Sequence, residues 1–155
     1  MYATQIDAIL RKDHYARKTF IGVFSSDELA ALPKPKRKEY GLVVNTDTRQ
    51  LPGRHWQTIY VTDVNTCNFF CSLGETPNNN ISKFLAQFKN VVHNSRKQQR
   101  LDELTCGGYC IYIQMNMSRG YSFATLCGIF DQIENDDEYI SEYLSYISAS
   151  RTISQ

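Results

Sequence analysis

The stretch Cys106–Met117, CGGYCIYIQMNM, is apolar on almost every side of a helical projection. A helix without a polar face is buried all round, so this stretch predicts a helix through the middle of the core rather than on the surface. Gly120 follows and predicts its end. A thiol, Cys106, stands at the first position of the predicted helix, and Gly107 and Gly108 come directly after it. We therefore expect the rest of the fold to be built around this segment.

Three runs rich in apolar, β-branched and aromatic residues precede the buried helix. They are Tyr40–Asn45 (YGLVVN), Trp56–Val61 (WQTIYV) and Thr66–Cys71 (TCNFFC). This composition is typical of strands. The second and third runs are separated by a short polar connection, which predicts a hairpin, and a Pro-Gly turn lies in the loop before the second run. The three runs together predict a sheet within residues 40–71.

Helical patterns flank the predicted sheet on both sides along the chain. Each pattern has an inward apolar stripe and an N-cap residue at its start. The predicted helices are Thr4–Arg17 capped by Thr4, Ile81 to about His93 capped by Asn79 or Asn80, Phe123–Ile133 capped by Ser122, and Glu138 to about Ala149 capped by Asp136. Shorter features are an apolar stretch at Phe20–Phe24, an exposed loop at Pro33–Lys38 and one more short strand at Gln98–Leu101. The predicted fold class is α+β.

Length and composition limit the class of protein. The chain has 155 residues, 42% of them hydrophobic, which is enough for a single domain over residues 1–155 with a core that needs neither disulfides nor metal. With 17 Lys and Arg against 16 Asp and Glu, the net charge of +1 argues against a dedicated nucleic-acid-binding protein. No apolar run approaches the roughly 20 residues of a membrane span, and the polar opening MYATQIDAILRKD does not resemble a signal sequence. We expect a soluble intracellular protein.

The cysteines favour free thiols over a disulfide framework. There are five, an odd number, which fits a reducing compartment. Two CxxxC pairs invite a four-thiolate zinc site, but structural zinc sites usually space such pairs more tightly, so no metal or other cofactor is expected. The pairs are Cys67 with Cys71 and Cys106 with Cys110. Cys110 and Cys127 are interpreted as small buried hydrophobic residues.

Three residues carry a possible acyl-transfer chemistry. Cys106 begins the buried helix, where the unpaired N–H groups favour thiolate over thiol. His55 stands between the Pro-Gly turn and a strand, and Gln99 lies seven residues before Cys106. A backbone N–H at the helix start and a Gln side chain could together hold a developing oxyanion. Lone cysteines and histidines coincide often, so the residues alone leave a hydrolase and a purely structural role both open.

The order of these motifs resembles the adenovirus maturation protease family, and more closely its branch in Polinton transposons and virophages. The most specific pieces are an Asn-Thr pair ten residues before His-Trp, from Asn45 to His55, and Gln99 followed at seven residues by Cys-Gly-x-Tyr/Phe-Cys. The resemblance implies a papain-related cysteine protease fold of the ubiquitin-like-protease type, with a central mixed sheet and the nucleophile on a buried helix. It also implies Cys106 as nucleophile, His55 as general base and Gln99 as oxyanion donor. Trp56 and Asn45 are the implied substrate-binding residues.

The sequence departs from that family at the acid that orients the histidine. In the run Phe69–Gly74 (FFCSLG), Cys71 occupies the place of the family's Asp or Glu. Three interpretations follow. The site works as a Cys/His dyad, it recruits another group such as Asn45, Asn68 or Asp63, or the protein is weakly active. Asn68 faces the opposite side of its strand from Cys71, so it needs a bulge to substitute.

The function expected from the residues and the resemblance is a cysteine endopeptidase that processes viral or mobile-element capsid precursors. A protease that removes ubiquitin-like modifiers and a catalytically impaired peptide-binding relative are the alternatives. The resemblance implies small residues, often Gly, around the scissile bond, and stimulation by DNA or a peptide activator. We expect a monomer with no membrane partner, located in the host cytoplasm or viral factory and packaged in the virion.

Overall fold

The computed structural model describes residues 1–47, 55–94, 96–98 and 105–154. Its centre is a five-stranded sheet in the order β1-β2-β3-β4-β5. The two outer pairs, β1/β2 and β4/β5, are parallel, whereas β2/β3 and β3/β4 are antiparallel, so the sheet is mixed. The strands are β1 (Phe20–Ser25), β2 (Tyr40–Asn45), β3 (Trp56–Asp63), β4 (Thr66–Phe70) and β5 (Asn90–His93).

Five α-helices surround the sheet within the described ranges. They are α1 (Ala3–Lys12), α2 (Asn79–Leu85), α3 (Cys106–Ser118), α4 (Phe123–Phe130) and α5 (Asp136–Ser154). Short 3-10 helices occupy Ala16–Lys18 and Ser26–Ala31. None of the helices in the part of the chain that the structure describes has both the length and the apolar character to cross a bilayer.

The sheet separates two cores because side chains alternate along its strands. In β3, Ile59 and Val61 pack toward α2 and the 3-10 helix at Ser26–Ala31. The even-numbered Trp56 and Tyr60 point to the other face, where α1, α3, α4 and α5 lie. The predicted central helix, α3, is buried along nearly its whole length, as its all-round apolar sequence indicates.

One polar side chain joins the central helix to the sheet. Gln114 is fully buried in α3, and its Nε2 donates to the backbone carbonyl of Ile59 at 2.9 Å and to the hydroxyl of Thr58 at 2.7 Å. The Gln114 side chain fills the space over Gly41, where any Cβ would overlap its carboxamide. Because buried amides are costly to leave unpaired, these bonds fix how α3 sits on β2 and β3.

The three predicted strands are confirmed, and so is the hairpin. β3 and β4 pair antiparallel, with Thr58 opposite Phe70, and the turn between them is the polar connection after Asp63. The loop at Pro33–Lys38 is also confirmed as mostly exposed chain without regular secondary structure, with bends rather than extended backbone over residues 36–38.

The helix predicted from Ile81 to about His93 is wrong in its second half. The chain is helical only over Asn79–Leu85, and Asn90–His93 forms β5, parallel to β4. The N-cap is Asn78, whose side chain accepts from the N–H of Ile81, rather than Asn79 or Asn80. The pair Val91 and Val92 fits an apolar helix stripe and a strand equally well, and here the open edge of β4 decides for the strand.

Other helix boundaries shift by a few residues. The first helix starts after Tyr2, not at Thr4, and ends at Lys12 before a separate 3-10 turn. Ser122 caps α4 as predicted, by accepting from the N–H of Thr125. The last helix takes its side-chain cap from Asn135, which accepts from the N–H of Glu138, rather than from Asp136. The short strand predicted at Gln98–Leu101 falls mostly outside the described residues.

Candidate active site

Two of the predicted site residues meet at one end of the sheet. His55 directly precedes β3 and Cys71 directly follows β4, and because these strands are antiparallel, the two residues lie side by side. The Nε2 of His55 is 3.1 Å from the Sγ of Cys71. Both side chains are buried. The thiol in the acid position therefore contacts the imidazole that the missing carboxylate would have oriented.

Cys71 is held through its backbone by a side chain that sequence reasoning did not single out. Asn94, just after β5, accepts from the N–H of Cys71 at 2.9 Å and donates to the Cys71 carbonyl at 2.7 Å. These two bonds extend the parallel β4/β5 pairing by one position, with the Asn94 side chain taking the place of a backbone group. One signal in the sequence marks this role, a polar Asn directly after β5. The sequence pattern, however, predicts β5 as the end of a helix.

The sulfur of Cys71 lies among hydrogen-bond donors. Burial raises the pKa of the Cys71 thiol, while hydrogen bonds from the Glu75 and Leu73 backbones and from the Gln57 side chain oppose that rise. The β3/β4 register, continued by one residue, places Gln57 opposite Cys71. This surrounding can accommodate negative charge on the sulfur when a cation is close by.

Glu75 brings a carboxylate to the same place. Its oxygen, the Sγ of Cys71 and a ring nitrogen of His55 all lie within 4.8 Å of one another, and Glu75 itself is exposed. Burial lowers the pKa of His55, and the Glu75 carboxylate partly opposes that effect. Sequence reasoning missed Glu75 because it stands in the irregular segment after the Phe69–Gly74 run, four residues beyond the expected acid.

Cys106 occupies the first turn of α3 on the helical side of the sheet. It is 7% exposed, and the backbone N–H of Trp56 points at its Sγ at 3.5 Å. Trp56 is the residue after His55, so the start of β3 joins the two candidate catalytic groups. With Nε2 of His55 turned toward Cys71, Nδ1 is the ring nitrogen left for a nucleophile.

The start of α3 is tied to the last helix. The hydroxyls of Thr105 and Tyr109 both donate to Oδ1 of Asp137, at 2.9 and 2.8 Å. Thr105 directly precedes Cys106 in sequence. These bonds fix the position of the candidate nucleophile relative to α5.

The two predicted substrate-binding residues lie at the same end of the sheet. Asn45 ends β2 and pairs with Trp56 at the start of β3. The Trp56 indole donates to the Met1 carbonyl at 3.0 Å, and the Asn45 carboxamide oxygen accepts from the N–H of Asp47 at 3.0 Å. Their roles in substrate binding stay predictions.

The alternative partners for His55 are engaged elsewhere or distant. Asn68 donates to the Tyr60 carbonyl, so no bulge turns it toward the histidine. Asp63 lies at the far end of the eight-residue β3, roughly 25 Å away at about 3.3 Å per residue. Asn45 accepts from its own loop. The contact with Cys71 therefore answers which group faces Nε2.

Gln99, the expected oxyanion donor, lies outside the described residues. Its neighbour Gln98 is buried, with its N–H bonded to the Ser72 carbonyl at 2.7 Å. The Gln98 side chain bonds with Arg96, donating to its carbonyl and accepting from its guanidinium. Gln98 is thus a structural residue of this segment.

The thiols of the two CxxxC pairs do not come together. Cys67 and Cys71 belong to the core on one face of the sheet, and Cys106 and Cys110 to the core on the other. All five cysteines are free thiols. Burial raises the pKa of Cys110 well above its usual range and that of Cys67 to about 12, as expected of inert core thiols.

Comparison with known proteins finds similarity in structure but not in sequence. No protein-family model matches the sequence, and no curated protein matches it either. Among solved structures, the ASFV pS273R protease aligns over 90% of this chain with 17% identity and a TM-score of 0.68. The central domain of the Lpg1148 protein from Legionella pneumophila aligns over 96% of both chains, with 15% identity and a TM-score of 0.60. The SUMO protease Ulp1 aligns over 90% of this chain and 76% of its own, with 14% identity and a TM-score of 0.49.

These likenesses concern the fold. The chain spans 63% of the length of the ASFV protease that it matches. The structure confirms the expected α+β architecture with a central mixed sheet and Cys106 at the N-terminus of a buried helix, a fold shared with the ASFV pS273R protease.

Proposed function

We propose that this protein is a cysteine endopeptidase in which Cys106 is the nucleophile, His55 the general base and Cys71 the group that orients the base. The observation that carries the proposal is the 3.1 Å contact between His55 Nε2 and Cys71 Sγ, with Cys106 Sγ held beside the next residue of the same strand. The fold supports it, because proteases are among the solved structures that share this architecture.

The proposed reaction uses one ring nitrogen of His55, Nδ1, for proton transfer, while the other, Nε2, faces Cys71. Cys106 Sγ attacks the carbonyl carbon of the scissile peptide, and Nδ1 of His55 holds the proton that leaves the thiol. The same nitrogen returns the proton to the leaving amine, which departs and leaves an acyl enzyme. Water, deprotonated by His55, then releases the acid product. The N–H of Cys106 at the start of α3 and the side chain of Gln99 are the proposed oxyanion donors.

Cys71 performs the task of the missing acid through its acceptor sulfur. A hydrogen bond from Nε2–H to Sγ keeps the proton on Nε2 and leaves Nδ1 free to accept one. A neutral thiol does this less well than a carboxylate, because it adds no charge opposite the imidazolium. Glu75, which raises the pKa of His55, supplies part of that charge from a greater distance. The site therefore differs from a carboxylate-supported one in strength rather than in geometry.

The proposed substrate is a capsid precursor of a virus or mobile element, cleaved next to small residues. The sequence resemblance to viral and transposon maturation proteases supports this choice, and so does the fold shared with an ASFV protease. In this proposal the chain acts as a monomeric single domain over residues 1–155, is stimulated by DNA or a peptide, and works in the infected cytoplasm and in the particle.

A catalytically impaired peptide-binding protein is the second candidate. The observation that favours it is the thiol itself, since Cys71 stands where an orienting carboxylate is expected and its burial raises its pKa. Such a protein would bind peptide without cleaving it.

The test is peptidase activity of the wild type, Cys106→Ala and Cys71→Asp. The substrates are Gly-containing peptides, a capsid precursor and a conjugate of a ubiquitin-like modifier, each with and without DNA. We expect turnover of the peptides and precursor that disappears in Cys106→Ala and increases in Cys71→Asp. Cleavage of the conjugate alone would assign the chain to deconjugation. No turnover in either wild type or Cys71→Asp, with an unreactive Cys106, would leave the impaired binding protein.

A further inference from the structure

We propose that His55, Cys71 and Glu75 bind one Zn²⁺ ion, and that the bound ion holds the enzyme inactive. The inhibitory part rests on the proposed function, whereas the binding part does not. The sequence predicts no metal site here, because the three residues belong to no metal-binding motif and come together only through the β3/β4 pairing.

The geometry suits a small metal ion. One ligand atom from each residue, a His55 ring nitrogen, the Cys71 sulfur and a Glu75 carboxylate oxygen, lies within 4.8 Å of the other two. Zinc places such atoms at about 2.0–2.3 Å from itself, which corresponds to separations of roughly 3–4 Å around a tetrahedral ion. His55 Nε2 and Cys71 Sγ are already 3.1 Å apart. Only the exposed Glu75 side chain has to close in.

The chemistry of the three ligands selects zinc. Imidazole nitrogen, thiolate sulfur and carboxylate oxygen are the usual zinc ligands, and a sulfur ligand disfavours Mg²⁺ and Ca²⁺, which prefer oxygen. With three protein ligands, the fourth position is open to water. An aspartate at position 71, as in the resembled family, would replace the soft sulfur with a hard oxygen, so the thiol is what selects zinc over Mg²⁺ and Ca²⁺ here.

The surroundings prepare Cys71 for a metal. Its backbone is fixed by Asn94 on both the N–H and the carbonyl side. Hydrogen-bond donors from the Gln57 side chain and from the Leu73 and Glu75 backbones point at the sulfur. A thiolate formed on metal binding would therefore find donors already in place. Glu75, which lies at the surface, marks the side from which an ion enters.

Zinc binding would move two protons whose positions the proposed catalysis requires, the one on Cys71 Sγ and the one on His55 Nε2. The Cys71 S–H bond breaks, a Zn–S bond forms and the proton goes to solvent. Nε2 coordinates the ion and gives up its own proton, so the neutral imidazole carries its single proton on Nδ1. A protonated Nδ1 cannot accept the proton of Cys106. The ion is not consumed, and a chelator reverses the change.

The test measures metal binding directly, on the full chain with Cys106→Ala as background. Equilibrium dialysis with Zn²⁺ gives affinity and stoichiometry, and Co²⁺ in its place gives a thiolate-to-cobalt charge-transfer band that reports sulfur ligation. We expect one ion per chain and the charge-transfer band. Cys71→Ser should abolish the band and weaken Zn²⁺ binding by more than the roughly 10–100-fold that changes outside the ligand set cost.

Matched variants separate the site from other thiols. Glu75→Gln, an exposed change, should weaken Zn²⁺ binding and keep the cobalt band, whereas Cys127→Ser, which alters a half-buried thiol on α4, should change neither. Far-ultraviolet circular dichroism checks that each variant is folded. Unchanged affinity in both Cys71→Ser and Glu75→Gln overturns the proposal, and so does a loss of binding in Cys106→Ala relative to wild type, which would place the ion on the nucleophile.

The inhibitory part has its own readout. With Cys106 restored, Zn²⁺ should inhibit peptide cleavage at the concentration that fills the site, and EDTA should reverse it. Cys71→Ser, which removes the sulfur ligand without adding a carboxylate, should resist inhibition. If no variant cleaves peptide, the dialysis and cobalt results still decide the metal site, so its failure and the failure of the proposed protease are told apart. Inhibition that Cys71→Ser and wild type share equally would contradict the switch.

Discussion

The two sulfur atoms on either side of His55 sit in different surroundings. Cys71 is fully buried, its backbone is bonded twice by Asn94, and several donors point at its sulfur. Cys106 keeps 7% exposure, and its sulfur receives the N–H of Trp56 at a long 3.5 Å. A group that orients a base has to stay still, while a nucleophile has to reach a substrate. The fully buried position and the slightly exposed one thus belong to different cysteines.

The largest expected effect is the loss of activity when each cysteine is replaced by alanine. If the two losses are equal, the two cysteines do not have different roles. Cys106→Ala should lower kcat by on the order of 10⁶, the loss that follows removal of the nucleophile from a serine hydrolase. Cys71→Ala should cost less than the roughly 10⁴ attributed to an orienting carboxylate, because a thiol orients without adding charge. Steady-state kinetics on one peptide substrate measure both. Equal losses would mean that Cys71 takes part in bond formation.

The next prediction compares the hydrogen bonds that hold Cys71 and Cys106 in place. Asn94→Ala removes both bonds to the Cys71 backbone and should lower the free energy of unfolding by about 2 kcal/mol. Thr105→Ala, next to Cys106, removes one bond to Asp137 and should cost about 1 kcal/mol. Urea unfolding gives both values. Asn94→Ala should also lower kcat with little change in KM, because it displaces the partner of His55 and leaves Trp56 and Asn45, the residues predicted to bind substrate, in place.

Alkylation rates sharpen the comparison further. Iodoacetamide needs an accessible thiolate, so Cys106 should react faster than fully buried Cys71, whose pKa is raised by burial, by about tenfold or more. Mass spectrometry of peptides after timed labelling separates the five cysteines. Cys110 serves as the unreactive reference because it is buried in the core and its pKa is raised well above the usual range. Equal rates at Cys71 and Cys106 would contradict the assignment.

The smallest effect concerns the titration of His55. Burial lowers its folded-state pKa below 6.5 and Glu75 opposes this, so Glu75→Gln should lower the pKa further, as read from the imidazole resonance in NMR titration.

The unfolded chain then binds more protons than the folded one below pH 6.5. Stability should therefore fall as the pH drops through that range, and His55→Gln should reduce this dependence. An upward shift in Glu75→Gln would refute the role given to its charge.

The sequence predicts β2, β3, β4 and the buried helix because their patterns are local. Apolar, β-branched runs and an all-apolar helix need no knowledge of their neighbours. The end of α2 is different, since Val91 and Val92 suit either state and the edge of β4 selects the strand. The N-cap of α2 is likewise one or two residues from the predicted position, at Asn78 rather than Asn79 or Asn80, because adjacent asparagines carry the same signal.

The site was predictable where a motif marks it and hidden where only the fold assembles it. His55, Cys71 and Cys106 stand in recognisable runs, and the structure places the first two in contact. Asn94 and Glu75 reach Cys71 from segments 23 and 4 residues further along the chain, so no spacing rule connects them. The role of Gln99 as an oxyanion donor stays a prediction.

The packing of Gln114 over Gly41 constrains how this protein can evolve. Any side chain at position 41 collides with the carboxamide that joins α3 to β2 and β3, and losing that carboxamide alone leaves strand carbonyls without their donor. Neither residue can change first without penalty. In an alignment of close homologues, positions 41 and 114 should covary, and the pair should mark descent within this lineage more faithfully than the exposed loop at Pro33–Lys38.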